Sequence, residues 1–332
     1  NVFIGYPNVG KSNILEALSI YSINFHNKNL SDFVRFEDVS ALFHNGNVQD
    51  DFEIKINKNH RIIGFYLDNS LVIKRQYSQD DLLFNSTTLA NRHNDNSIVN
   101  AWTMQIDNNN LVTRFDTTNG YLQLDGHVLG EVRKYVFKKI ISPLKEGYSF
   151  LNFPFGENIF SILSSHSLIR KQVIDLFKPF DLLLNFERGK NTLSIAKDFK
   201  DGNIFTLSYS MIADTLQRLI FHKAVIATNE NNVLILEEPE ANMFPPYIKK
   251  LTTDILFDKT NQFFLATHSP YVLDELILEA GEDLSVYLVD YKDGETIIHH
   301  LSREDLSEIR QYGVDLFFNI ESYLKHGQVN NS

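Results

Sequence analysis

The sequence predicts an α/β fold in which a mixed sheet is flanked by helices and carries an antiparallel β-lobe. Three observations lead there. Short, wholly apolar runs at Val2–Ile4, Val233–Leu236, Phe263–Ala266 and Val286–Val289 read as strands buried on both faces. Stretches between them place apolar residues at helical spacing. From residue 50 to residue 121 the pattern changes to alternating apolar and polar residues, broken by Asn57-Lys58-Asn59, Asp68-Asn69-Ser70 and Asn108-Asn109-Asn110, which reads as hairpins.

The bulk numbers set limits. At 332 residues and 43% hydrophobic, the chain can bury a large core. A net charge of −11 argues against nucleic acid or another polyanion as a general partner. The absence of cysteine excludes disulfides and Cys-ligated metal sites and fits a cytoplasmic protein. No apolar run is long enough to predict a membrane span, and no signal peptide is visible. The chain opens inside its first strand, so residues are expected to precede Asn1.

Taken in order, the first strand enters Gly5-Tyr6-Pro7-Asn8-Val9-Gly10-Lys11-Ser12, and a helix follows from Asn13. Phe33 to Phe43 leads into a turn at His44–Asn47. Strands are expected at Phe52–Ile56, Arg61–Leu67, Leu71–Tyr77, Ala101–Ile106 and Leu111–Phe115, with Ser78–Asn100 a long polar loop. Glu131–Ile141 reads as a helix stopping before Pro143. The region 150–230 holds helices at Asn158–His166, Ser167–Phe177 and Met211–Ala227, and strands at Leu182–Phe186, Leu193–Ala196 and Ile204–Leu207. Pro245-Pro246 opens a helix to Phe257. Leu316–Leu324 reads as a closing helix, with fraying expected beyond Lys325.

The chemistry sits in three turns. G-x-x-x-x-G-K-S between a strand and a helix is the context in which this spacing binds phosphate. Its backbone N–H groups turn inward around an anion, helped by the positive end of the following helix. Gly5, Asn8, Val9, Gly10, Lys11, Ser12 and Asn13 are therefore the candidate nucleotide-binding residues. Lys11 would reach the β- and γ-phosphates, and Ser12 would ligate Mg²⁺. The run Val233–Leu236 delivers Glu237-Glu238-Pro239-Glu240 to the carboxyl edge of the sheet. There Glu237 would join the Mg²⁺ shell and Glu238 would polarise the attacking water. Three acids so close are costly unless a cation sits nearby. Phe264–Ala266 likewise delivers Thr267-His268-Ser269-Pro270, whose imidazole can contact the γ-phosphate and the water. His44 and His299-His300 read as residues of solvated turns.

In this order and separation, Gly5–Ser12, Leu234–Glu240 and Thr267–Pro270 resemble the P-loop NTPases of the ABC/SMC head type, in particular the RecF-like and OLD-like bacterial AAA-labelled ATPases. The resemblance spans essentially the whole chain and is weakest from Asp50 to Tyr148. It implies one ATPase head over residues 1–332 that binds ATP and Mg²⁺ and forms a dimer, or a higher oligomer, around nucleotide. In that family a signature helix faces the other head's P-loop; here Ala213–Leu219 stands in its place, with Ser210, Asp214 and Thr215 as candidate contacts. The segment departs from the family's Ser-Gly-Gly. It has no glycine, and Asp214 would repel phosphate unless paired, for which Arg218 is the candidate. The family's Mg²⁺-joining glutamine corresponds best to Gln49, with Asn45 and Asn47 as alternates. Members of this size often act in bacterial defence against phage beside a separate effector, a nuclease or a toxin.

The loop wording also resembles translational GTPases, but no Asn-Lys-x-Asp guanine clamp is present: Asn57-Lys58-Asn59-His60 lacks the aspartate. Two further readings are an ATP-bound scaffold with little turnover and a RecF-like DNA clamp; the net charge disfavours the second.

Overall fold

The apolar runs become adjacent strands in the computed structural model, which describes residues 1–23, 29–55, 60–67, 70–78, 98–106, 112–117, 132–139, 149–187 and 192–329. The chain forms two units, one of residues 1–15 with 132–332 and the other of residues 16–131.

The first unit is built on a six-stranded sheet in the order β14-β13-β1-β12-β11-β7. These are β1 (Val2–Ile4), β7 (Val132–Tyr135), β11 (Val233–Glu237), β12 (Gln262–Ala266), β13 (Val286–Lys292) and β14 (Glu295–His300). All neighbours pair in parallel except β13 with β14. On one face Val2, Ile4, Leu234, Leu236, Leu265 and Leu288 join the main core with helices α2 (Ile159–Ser165), α3 (Ser167–Phe177), α4 (Asp214–Ala227), α5 (Pro245–Phe257), α6 (Pro270–Glu279), α7 (Arg303–Tyr312) and α8 (Leu316–Val329). Fully burying such a side chain stabilises by roughly 1.5–3 kcal/mol. On the other face Phe264, Phe3, Tyr287 and His300 form a row of rings across four strands, with centroids 6.2, 5.1 and 5.0 Å apart. A three-stranded antiparallel sheet, β8 (Leu183–Glu187), β9 (Thr192–Asp198) and β10 (Ile204–Ser208), completes this unit.

Several expectations change here. Glu131–Ile141 is not a helix: Val132–Tyr135 is an edge strand, and all four of its residues are buried. Its two cations are accommodated by partners that the local sequence does not reveal. The Arg133 guanidinium donates to Asn229 Oδ1 at 2.6 Å and lies 3.7 Å over the Phe150 ring. His299 and His300 lie in strand β14 rather than in a turn, because Asp293 and Gly294, both at positive φ, close a tight hairpin after Lys292. Helix α4 starts at Asp214, since Tyr209–Met211 forms a 3-10 turn. Helix α8 continues past Lys325 to Val329. Most of the polar stretch Ser78–Asn100 lies outside the described residues.

The second unit holds the end of α1 (Lys11–Ser19), several 3-10 turns and a five-stranded antiparallel sheet, β2 (Phe52–Lys55), β3 (His60–Leu67), β4 (Ser70–Ser78), β5 (Ile98–Ile106) and β6 (Val112–Thr117), in sequence order. Ile62, Leu71, Ile73, Met104 and Ile106 are completely buried. Gly64 pairs with Phe52 across the strands, and a Cβ there would stand 2.1 Å from the Phe52 ring. His44 is exposed on a 3-10 turn, as expected.

One buried base marks the α4 core. Both ring nitrogens of His222 are buried without a hydrogen-bond partner. Burial, with Arg218 nearby, pushes its pKa down from 6.5 to about 3, against a weak opposite pull from the Pro239 carbonyl. Between those values the unfolded chain binds a proton that the folded chain refuses, so stability falls as pH drops from 6.5 toward 3. The slope from this group is at most about 1.4 kcal/mol per pH unit. A His222→Phe variant should therefore gain stability relative to the native chain as pH falls through that window, measured by urea unfolding at several pH values. A difference that is constant with pH would show that His222 does not titrate as the burial requires.

Candidate functional site

The loop between β1 and α1 is shaped by contacts that need glycine. A Cβ on Gly5 would stand 2.3 Å from the Val289 carbonyl oxygen, and one on Gly10 only 2.1 Å from Thr296 Oγ1. Gly10 also sits at φ +99° and Asn8 at φ +65°. Thr296 donates from Oγ1 to the Val9 carbonyl at 3.0 Å, so the β13–β14 hairpin buttresses the loop from outside. The Lys11 side chain is buried and folds back, donating to the carbonyls of Gly5 (2.9 Å) and Tyr6 (2.8 Å). Desolvation lowers its pKa, while Glu238 and then Glu237 oppose this.

Parallel pairing brings the other two turns to this edge. Phe3 and Glu237 both pair with Ala266, so β1, β12 and β11 end together. Ser12 Oγ donates to Glu237 Oε1 across 225 residues of chain. A hydroxyl and a carboxylate oxygen in contact, beside the glycine loop, are donors that fit Mg²⁺. Among the described residues no group of three or more His, Cys, Asp or Glu could hold a metal by itself.

Glu238 adopts φ +44°, and its N–H donates to the Ala266 carbonyl at 2.8 Å. A non-glycine residue there costs roughly 1–2 kcal/mol. The turn exposes the Glu238 carboxylate and sets it 3.8 Å from His268 Nε2. Desolvation, and then Lys11, hold the His268 pKa below its ordinary value despite Glu238. The imidazole and the carboxylate thus face each other where β11 and β12 end.

Glu240 does not join a shared acidic cluster. It turns inward to accept from Thr267 Oγ1 at 2.5 Å and from the His268 N–H at 3.3 Å. No pattern in the sequence reveals this contact, nor that of Thr296 with the loop. In the signature-like segment Asp214 is paired with Arg218 at 2.7 Å. Thr215 gives its hydroxyl proton to the Asn242 carbonyl at 2.8 Å, and Ser210 Oγ is 2.9 Å from Ser208 Oγ. Asn13 is exposed on α1. Gln49, Asn45 and Asn47 belong to the second unit, on exposed turns where Asn47 bonds Asp50.

No protein-family model and no curated protein matches the chain. Solved structures similar to it include a head domain of SMC bound to the C-terminal winged-helix domain of ScpA, with 14% identity and a TM-score of 0.45 over 93% of this chain and 91% of that one. An SMC head with an extended coiled coil bound to the C-terminal domain of ScpA, from Pyrococcus furiosus, shares 13% identity with a TM-score of 0.47 over 94% and 92%. The SMC head domain from Thermotoga maritima shares 12% with a TM-score of 0.36 over 91% and 89%.

Because both the backbone angle and Thr296 forbid a side chain at Gly10, a Gly10→Ala variant should bind a triphosphate nucleotide at least about tenfold more weakly, consistent with strain of 1–2 kcal/mol. Titration with a fluorescent nucleotide analogue measures this, and unchanged affinity would remove the loop from the binding site.

Proposed function

We propose that this chain is a P-loop ATPase head of the ABC/SMC kind. The observation that supports it most is the convergence at one sheet edge of Lys11 and Ser12, Glu237 in contact with Ser12, and Glu238 facing His268. ATP, rather than a guanine nucleotide, is the substrate, given the absence of an Asn-Lys-x-Asp clamp in the sequence.

On binding, Lys11 exchanges the Gly5 and Tyr6 carbonyls for phosphate oxygens, and the Gly5–Gly10 loop offers its N–H groups with the α1 N-terminus. Ser12 and Glu237 would hold Mg²⁺, which would neutralise charge on the phosphates. Glu238, exposed and held forward by its turn, orients the attacking water and takes its proton. His268, whose pKa desolvation and Lys11 lower, would hydrogen-bond the γ-phosphate.

The work is conformational: ATP closes two heads on each other and hydrolysis releases them. Pairing of Asp214 with Arg218 removes its repulsion for a facing phosphate, and exposed Met211 and Phe244 offer apolar contact beside Ser210 and Thr215. A separate effector, a nuclease or a toxin as in phage-defence systems, is the partner that the family resemblance suggests. Slow turnover, close to an ATP-held scaffold, is favoured by the engaged Thr215 hydroxyl and the lack of glycine at the signature.

Binding and chemistry should separate. Lys11→Ala is expected to lose ATP binding in calorimetric titration. Glu238→Gln should keep ATP, lose turnover by about a hundredfold or more, and accumulate dimers with ATP and Mg²⁺ in mass photometry. Normal turnover by Glu238→Gln would reject the base assignment, and an ATP-independent mass would reject ATP-driven closure.

A further inference from the structure

We infer that Glu240 is a positioning residue, the bracket that ties the Thr267–His268 turn to the acidic turn and so sets where the His268 imidazole stands relative to Glu238. Its consequence for turnover rests on the ATPase reading; the bracket itself does not.

Two turns of different strands have to hold one geometry, and a direct side-chain tie between their inner sides runs through this carboxyl. Positive φ at Glu238 reverses the chain, and Ala241 N–H to Glu238 O and Met243 N–H to Glu240 O, both 3.0 Å, lock the reversal. Glu238 is thereby left in solvent, and Glu240, two residues on, is only 7% exposed. Its Oε1 accepts from Thr267 Oγ1, which is completely buried, and from the His268 N–H. Thr267 Oγ1 in turn accepts from the Ser269 N–H at 3.0 Å, so the bracket extends to the residue that precedes α6. On its far side the same turn is held to α4 through Thr215 and the Asn242 carbonyl.

The other carboxyl oxygen, Oε2, is buried with no hydrogen-bond partner. An unmet buried acceptor is costly, and an apolar side chain would fill the space better. What an apolar residue lacks is an oxygen that receives two donors from the neighbouring turn. Burial raises the pKa of Glu240, the hydrogen bonds from Thr267 and His268 oppose the rise, and Glu238 adds to it. Glutamine reproduces the accepting oxygen without the charge.

The test compares Glu240→Ala, Glu240→Gln and Thr267→Val in the full chain. Amide hydrogen exchange of the Thr267–Ser269 segment, without nucleotide, should quicken about tenfold in Glu240→Ala. It should stay near the native rate in Glu240→Gln and quicken in Thr267→Val, which keeps the core volume should the alanine variant fail to fold. For ATP turnover, Glu240→Ala should lower kcat about tenfold or more with little change in KM, glutamine should restore it, and alanine and valine together should be no worse than either alone. Unchanged exchange in the alanine and valine variants, or a glutamine variant that behaves as alanine, overturns the bracket. If the native chain does not hydrolyse ATP, the ATPase reading fails while the exchange rates still decide the bracket.

Discussion

Parallel register between β1, β12 and β11 is the constraint on which the site depends. Hydrogen bonding places Phe3 and Glu237 on either side of Ala266, so the three turns that follow these strands open at one level. A shift of one residue in either pairing would turn core side chains to the opposite face, and residues such as Leu234, Leu236 and Leu265 make that shift prohibitive. The apolar core therefore holds register, and register holds the contact between Ser12 and Glu237, residues 225 apart in the chain.

Around that edge the polar groups fall into two kinds. Lys11, folded back on the Gly5 and Tyr6 carbonyls, and His268, facing Glu238, both have their pKa values lowered first by desolvation. Glu240, Arg133 and His222 are buried for other reasons: one joins two turns, one is held by Asn229 and Phe150, and one is surrounded by the α4 core. Perturbed ionisation alone does not separate Lys11 and His268 from Glu240 and His222. Geometry does: Glu238 and His268 face each other at the mouth, and Glu240 faces inward.

The convergence of three turns at one sheet edge was legible to the extent that each turn is local. Gly5–Ser12, Glu237-Glu238 and Thr267-His268 could be read because each follows an apolar strand at once, and a parallel strand's carboxyl end has one place to go. The Asp214–Arg218 pair could be read because an i, i+4 spacing on a helix is itself a contact. Elements that failed are those whose stability comes from elsewhere. Val132-Arg133-Lys134-Tyr135 looks like part of an exposed helix until β11, Asn229 and Phe150 are beside it. The second strand of the β13–β14 hairpin was missed because Ile297 and Ile298, flanked by threonine and histidines, form too short a run to stand out.

By itself, then, the sequence determined the α/β class, the buried strands, the glycine loop between β1 and α1 and the identities of the acids and the imidazole at the strand ends. Each of those is encoded within a dozen residues by hydrophobic period, glycine placement and strand-end chemistry. Tertiary structure alone decided that Thr296 closes the outside of the loop and that Glu240 turns inward to Thr267. These contacts join chain segments 27 to 287 residues apart. They form because packing the core fixes the strand ends relative to one another, which no local pattern of residues specifies.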